Sequence, residues 1–163
     1  DAEVSFSMVR LNPLVEDVFD AVEPIAAEYG VTLHRECEPV AIEASVKQMR
    51  ELLMNLIVNG IKYNHPGGNV WVKIASSGHN AVIRVKDDGM GISEADQQRV
   101  FERFYRVDKG RSKKMGGTGL GLSIVKHIVE FNEGYMRLKS QVGKGSEFII
   151  SLPLERERQD GLS

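Results

Sequence analysis

Apolar residues recur at helical spacing through residues 12–29, at Leu14, Val15, Val18, Phe19, Val22, Ile25 and Ala26. This predicts an amphipathic helix closed by Gly30. Two short strands follow, near 31–36 and 40–43. Ser45 stands at an N-cap position, and the helix it opens extends to about Asn64, where His65-Pro66-Gly67-Gly68 breaks it. Strict alternation then takes over. Val70, Val72 and Ile74 share one face and Trp71 and Lys73 the other; Ala81, Ile83 and Val85 are set likewise against Arg84 and Lys86. A glycine-rich turn at 89–92 leads to a helix capped by Ser93, with Glu94 and Asp96 in its first turn. Residues 106–118 are basic and glycine-containing with little apolar periodicity, and they read as a mobile loop. A helix over 119–131 and a hairpin over 135–140 and 146–152 complete the pattern. Helices and strands mixed in this order, with hairpins at both ends, predict an α/β (α+β) fold. Its expected form is a two-layer sandwich, a mixed and mostly antiparallel sheet with helices packed on one face.

Length and composition narrow the class. At 163 residues the chain fits one domain that buries a core without staples. Its 42% hydrophobic and 27% charged content is that of an ordinary soluble globular protein. A net charge of −2 gives no basic excess for neutralising nucleic-acid phosphates, so no nucleic-acid partner is expected. The one cysteine, Cys37, forms no internal disulfide, and no Cys/His cluster suggests zinc; both fit a reducing, cytoplasmic setting. No apolar run approaches membrane-spanning length. The chain starts without an initiator Met and reads as an excerpt, which leaves a membrane-bound parent open.

Three polar groupings carry candidate chemistry. Asn55, Asn59, Lys62 and Tyr63 fall along one side of the second helix, opposite Leu53, Ile57 and Ile61. An Asn carbonyl is a hard oxygen ligand for a magnesium ion that keeps most of its water and also touches phosphates, and Lys62 would add positive charge. Taken alone, this stripe reads more readily as a solvated face. The second grouping is Asp87-Asp88-Gly89-Met90-Gly91. By strand parity Asp87 shares a face with Ala81, Ile83 and Val85, so its carboxylate turns toward the helices and needs a donor, such as an adenine amino group. Gly89 and Gly91 allow backbone to approach a flat ring, although an Asp-Asp-Gly turn is also common at strand ends. The third is Gly116-Gly117-Thr118-Gly119-Leu120-Gly121-Leu122, opening a helix whose free N–H groups suit phosphates. It lacks the Lys-Ser/Thr of a Walker A loop and follows no strand as a dinucleotide fingerprint does; the alternative is a flexible hinge. The basic run Arg103, Arg106, Lys109, Arg111, Lys113 and Lys114 reads as a solvated face or, beside a polyphosphate, as a charged lid.

The order of these groupings resembles the histidine kinase branch of the Bergerat-fold ATPases, the group that also holds gyrase-type topoisomerases, mismatch-repair ATPases and heat-shock chaperones. Asn55 to Tyr63 looks like the N box, Asp87-x-Gly89-x-Gly91 like the first glycine box, Phe101 to Asp108 like the F box, and Gly117 to Leu122 like the second glycine box. Gly143-Lys144-Gly145-Ser146 matches a late glycine turn of these domains, and the wording of Phe104 to Val125 is similar to the phosphate-sensing (PhoR-like) kinases. The resemblance covers about residues 10–154. Residues 1–9 would be a lead-in from missing dimerisation helices, and 155–163 a charged tail.

The resemblance implies ATP and Mg²⁺ as cofactors. It implies Asn59 on the metal, Asn55 supporting the phosphate–metal site, Lys62 and Arg106 on phosphates, and Tyr63 near the base. Asp87 would accept from the adenine amino group beside Gly89, Gly91 and Ile92. Phe104 and residues Gly117, Thr118, Gly119, Leu120, Gly121 and Leu122 would frame the lid and phosphate site. The implied catalytic set is Asn55, Lys62 and Arg106. The implied partners are a histidine-containing dimerisation domain and a response regulator, with the chain itself monomeric, as the cytoplasmic part of a membrane sensor kinase. Hydrolysing relatives place a Glu one turn before the metal-binding Asn; here Asn55 has no useful basicity. None of His34, His65, His79 or His127 lies in the family's phosphoacceptor context, so no self-phosphorylation is expected. A nucleotide-binding regulatory module without transfer, and an autonomous ATPase of the gyrase or chaperone type, are the competing readings.

Overall fold

The computed structural model describes residues 4–102 and 121–156. In chain order the elements are β1 (Ser7–Arg10), α1 (Leu11–Tyr29), β2 (Thr32–Cys37), β3 (Ala41–Ala44), α2 (Val46–Lys62), β4 (Asn69–Ser77) and β5 (Asn80–Asp87). They continue with α3 (Glu94–Gln97), α4 (Gly121–Phe131), β6 (Tyr135–Gln141) and β7 (Gly145–Pro153). Five strands form one sheet in the order β2-β4-β5-β7-β6. Only β2 and β4 run parallel; the other pairs are antiparallel. This is the mixed, mostly antiparallel sheet the alternation predicts.

One face of that sheet is covered. Val70, Val72 and Ile74 of β4, Ala81, Ile83 and Val85 of β5, and Phe148, Ile150 and Leu152 of β7 are buried. They pack against Leu52, Leu53, Leu56 and Ile57 of α2, Val18 and Val22 of α1, and Val125, Ile128 and Val129 of α4. Apolar burial holds helices and sheet together. Helix ends follow the local signals. The Ser45 Oγ accepts from the Gln48 N–H (3.1 Å) at the start of α2. Gly30, at φ 69°, closes α1 with its N–H on the carbonyls of Ala26 and Ala27.

Two features depart from the sequence pattern. The strands expected near 31–36 and 40–43 form, but not as a hairpin: β2 joins the large sheet through β4, and β3 pairs antiparallel with β1. The pattern predicts no element at Ser7–Arg10, because a four-residue strand alternates too briefly to register and becomes a strand only by meeting Ala41–Ala44. The helix capped by Ser93 is present but short, ending at Gln97.

Candidate nucleotide site

The site is built around α2. Its apolar side, including Leu53, Ile57 and Ile61, is fully buried, and this rotation leaves Asn55, Asn59, Lys62 and Tyr63 half-buried on the flank. The Asn55 amide nitrogen donates back to the Glu51 carbonyl (2.7 Å), which turns its oxygen away from the helix axis toward α4. There it meets Gly121: a Cβ at that glycine would stand 2.9 Å from Asn55 Oδ1. Five residues further along α2, Gly60 lies against β5, where a Cβ would stand 3.6 Å from Asp87 Oδ2. Two separate motifs, one ending in Gly121 and one beginning at Asp87, therefore converge on the same helix.

Asp87 is only 8% exposed. Its Oδ1 accepts from the Gly89 N–H at 2.9 Å. Burial pushes its carboxyl up to about 6, against the pull of the Gly89 and Ser146 backbone N–H groups, and Asp88 adds a smaller upward push. Among the described residues no side-chain cation faces it, so this is a buried acid with acceptor capacity left over.

Its neighbour is the opposite case. Burial also pushes Asp88 up, but it is outweighed by hydrogen bonds from the Asn69 side chain and N–H and from Asn64, and its carboxyl lies below the usual range. Asp88 Oδ1 accepts from Asn69 N–H (2.7 Å), Oδ2 from Asn69 Nδ2 (3.0 Å), and its backbone carbonyl contacts His65 Nε2 (3.0 Å). Asn64, 5% exposed, donates to the Asn69 carbonyl (3.1 Å) and accepts from the His65 N–H (2.8 Å). The sequence pattern assigns no role to Asn64, Asn69 or Asp88. The signal that could have found them is that Asn64 and Asn69 flank the helix-breaking turn while an Asp ends the paired strand.

The loop after Asp87 is held by the β6–β7 hairpin. The Met90 N–H donates to the Tyr63 carbonyl (3.1 Å) and the Gly143 N–H to the Met90 carbonyl (2.8 Å). Ile92 is buried and its N–H donates to Ser140 Oγ (2.7 Å). A Cβ on Gly89 would lie 2.4 Å from the Tyr63 carbonyl oxygen; one on Gly91, at φ 74°, would lie 2.1 Å from that of Gln141. Both glycines are thus demanded by the chain's own backbone, a reason independent of any ring they approach.

Leu122 packs on the core as a partly buried residue. Phe104, Arg106, Gly117, Thr118, Gly119 and Leu120, with the basic residues 103–114, lie outside the described residues. Among the described residues no group of three His, Cys, Asp or Glu side chains could hold a metal. A cation here would rest on amide oxygen.

The family described as histidine kinase-, DNA gyrase B- and HSP90-like ATPase matches residues 44–156. The chain belongs to this family. The match takes in α2, the Asp87 loop, α4 and the closing hairpin, which are the elements that converge above. The expectation of an ATP-binding catalytic domain of the sensor histidine kinase type is borne out by its relatives. The chain is 39% identical over 146 residues to the sensor histidine kinase RppB of Synechocystis, covering 88% of this chain and 32% of the relative. It is 50% identical over 101 residues to the sensor-like histidine kinase SenX3 of Mycolicibacterium smegmatis (62% and 26%), and 36% identical over 155 residues to WalK of Bacillus subtilis (94% and 25%). It therefore spans about a quarter to a third of the length of these curated relatives. The same fold occurs in the mycobacterial sensor histidine kinase MprB, at TM-score 0.81 and 24% identity, covering 94% of this chain and 100% of that one. Full-length ShkA in complex with AMPPNP superposes at TM-score 0.81 with 25% identity, covering 97% of this chain and 33% of that one. Membership of this ATPase family implies ATP binding.

Proposed function

We propose that this ATPase domain binds Mg-ATP and donates the γ-phosphoryl group to a histidine on a separate helical dimerisation domain. The observation that carries the reading is the buried Asp87 carboxylate, pressed on Gly60 of the helix that presents Asn55 and Asn59. An acid at that depth with spare acceptor capacity suits the exocyclic amino group of adenine. The AMPPNP complex of ShkA supports an adenine nucleotide in a domain of this fold.

Asn59 holds Mg²⁺ through its amide oxygen, a donor set fitting an ion that keeps most of its water and shares the phosphates. The ion supplies neutralisation of phosphate charge. Asn55 supports the phosphate–metal site, Lys62 and Arg106 contact phosphates, and Tyr63 lies near the base beside Gly91 and Ile92. Phe104, Gly117, Thr118, Gly119, Leu120, Gly121 and Leu122 frame lid and phosphates. In the transfer an imidazole nitrogen attacks the γ-phosphorus, the bond to the β–γ bridging oxygen breaks, ADP leaves and the imidazole proton goes to solvent. The domain contributes position and charge neutralisation. Asn55 offers no base to activate water, which favours storage of ATP over its hydrolysis.

The acceptor comes from elsewhere. His34 stacks on Trp71 and contacts Asn69, His65 contacts the Asp88 carbonyl, and His127 lies beside Phe131. Such contacts are structural. The domain is monomeric and belongs on the cytoplasmic side of a membrane sensor kinase, upstream of a response regulator; among the described residues no helix is long and apolar enough to cross a membrane. Labelled ATP supplied with this chain and the helical domain of the same kinase should place acid-labile label on that domain, and none on this chain alone. Tight nucleotide binding with no label on either would replace the reading with a regulatory module, and rapid steady-state phosphate release would replace it with an autonomous ATPase.

A further inference from the structure

The helices cover one face of the large sheet, and the other is charged in a sorted way. The outward rows follow from register. His34, Trp71, Lys86, Glu147 and Lys139 align across all five strands, with Glu36, Lys73, Arg84, Ile149 and Arg137 in the row beside them. Lys144 joins them from the β6–β7 turn. Glu36 pairs with Lys73 at 3.9 Å and Glu147 with Arg84 at 3.5 Å. The two acids are therefore already engaged, while Lys86, Arg137, Lys139 and Lys144 have no carboxylate partner among the described residues. Lys86, Lys139 and Lys144 border one groove of about 310 Å³, with Ser140, Ser146 and the acids Asp87 and Glu147 also in its lining. At its edge the Lys86 ammonium lies 5.8 Å from the Trp71 ring, which stacks on His34.

We infer that this outer sheet face docks an acidic polypeptide segment along the Lys86–Lys139–Lys144 groove. In a chain of net charge −2, a cluster of unpaired lysines is a deliberate local reversal of sign, and it steers an anionic partner to one face. Glu36 and Glu147 interrupt the cations, which suits spaced carboxylates better than the continuous phosphates of nucleic acid. The groove is polar, with no apolar residue among those that line it, so it lacks what inserts into a bilayer. Lys86 and Lys139 stand in an outward row and Lys144 in the β6–β7 turn, while Asp87, which turns toward the helices, also borders the groove, so the groove adjoins the proposed base site at that end.

Trp71 is the only tryptophan in the chain, so its emission and indole N–H report on this face alone. A short peptide alternating Glu and Gly, titrated into the 163-residue chain at low salt, should saturate both signals and shift amides of β5, β6 and the β6–β7 turn. Binding should weaken with added salt. Reversing charge with K86E, K139E and K144E together should weaken binding about ten-fold or more, while the matching K86R, K139R and K144R variant keeps it within about two-fold. An unchanged far-ultraviolet spectrum separates lost binding from lost fold. Excess ATP should leave the titration unchanged; competition would move the peptide to the phosphate site and overturn the inference. Absence of saturable shifts would also overturn it, as would binding to phosphatidylserine vesicles or duplex DNA without binding to the peptide.

Discussion

The Asp87 loop and the polar flank of α2 meet at Gly60, yet they are built by different means. The loop is over-determined: Gly89 to Ile92 is hydrogen-bonded to Tyr63, Gly143 and Ser140, Gly91 lies close against the Gln141 carbonyl, and Asp88 is fixed by Asn64 and Asn69. The flank's Asn55 is held more simply. Asn55 bonds only its own helix within the described residues, and the side chains beside it are half-buried. One wall is thus preformed before any ligand arrives, while the other presents amides to whatever enters. Preformed donors and acceptors suit a rigid ring, and loosely held amides suit a hydrated cation and phosphates.

Breaking the rigid wall should have the largest effect. Gly91→Ala places a Cβ 2.1 Å from a backbone carbonyl at φ 74°, so the loop or the hairpin must move. A loss of about 3 kcal/mol or more in urea unfolding is expected, with nucleotide affinity falling alongside. A variant as stable as the parent would show that the loop and hairpin are not locked together.

Asp87→Asn separates stability from recognition. The carboxyl is raised from 3.8 to about 6, so the folded chain retains a proton that the unfolded chain releases between those values. Stability therefore falls as pH rises from about 4 to about 6, and the full cost, of about 3 kcal/mol, is present above that. Removing the charge should make the variant more stable than the parent at pH 7, with the gap closing near pH 4. Adenine nucleotide should nevertheless bind about 10- to 100-fold more weakly. Parent affinity should also drop as pH falls below about 6, where the acid protonates, and the variant should show no such drop. Calorimetric titration across pH checks both; a flat parent profile would remove Asp87 from the base site.

The two walls also differ in how legible they were in the sequence. Parity along β5 placed Asp87 on the inner face, and helical spacing grouped Asn55, Asn59, Lys62 and Tyr63, because both rest on a local period that burial of the opposite face enforces. Gly89 and Gly91 have a structural reason the sequence does not show: their neighbours are carbonyls of Tyr63 and Gln141, the latter some 50 residues away, and no local pattern encodes them. The Asp88–Asn64–Asn69 cluster escaped for the same cause. The strand at Ser7–Arg10 exists through a partner, Ala41–Ala44, that only the fold supplies.

On the open flank, Asn59→Ala should cut nucleotide affinity about ten-fold with magnesium present and leave it nearly unchanged in chelator. Stability should move by about 0.5 kcal/mol or less, since the side chain is half-buried and away from the core. An equal loss with and without the ion would assign Asn59 to the nucleotide directly.

The smallest expected effect tests whether Asn55 is as yielding as its single bond to its own helix implies. Gly121→Ala adds a methyl 2.9 Å from Asn55 Oδ1, a contact as close as the one Asn64 Cα would make with a methyl on Gly89. The obstructing atom here, however, is the end of a side chain that can turn, and Gly121 has no left-handed backbone to strain. Stability should change by under about 1 kcal/mol, and alanine's better helix propensity at the start of α4 offsets part of the contact. Displacing the Asn55 amide should still lower nucleotide affinity about two- to five-fold in magnesium, because the oxygen leaves the position that its bond to Glu51 now gives it. A destabilisation as large as that of Gly91→Ala would mean that Asn55 is held as firmly as the loop around Asp87, and the distinction between a rigid wall and a yielding one would fail.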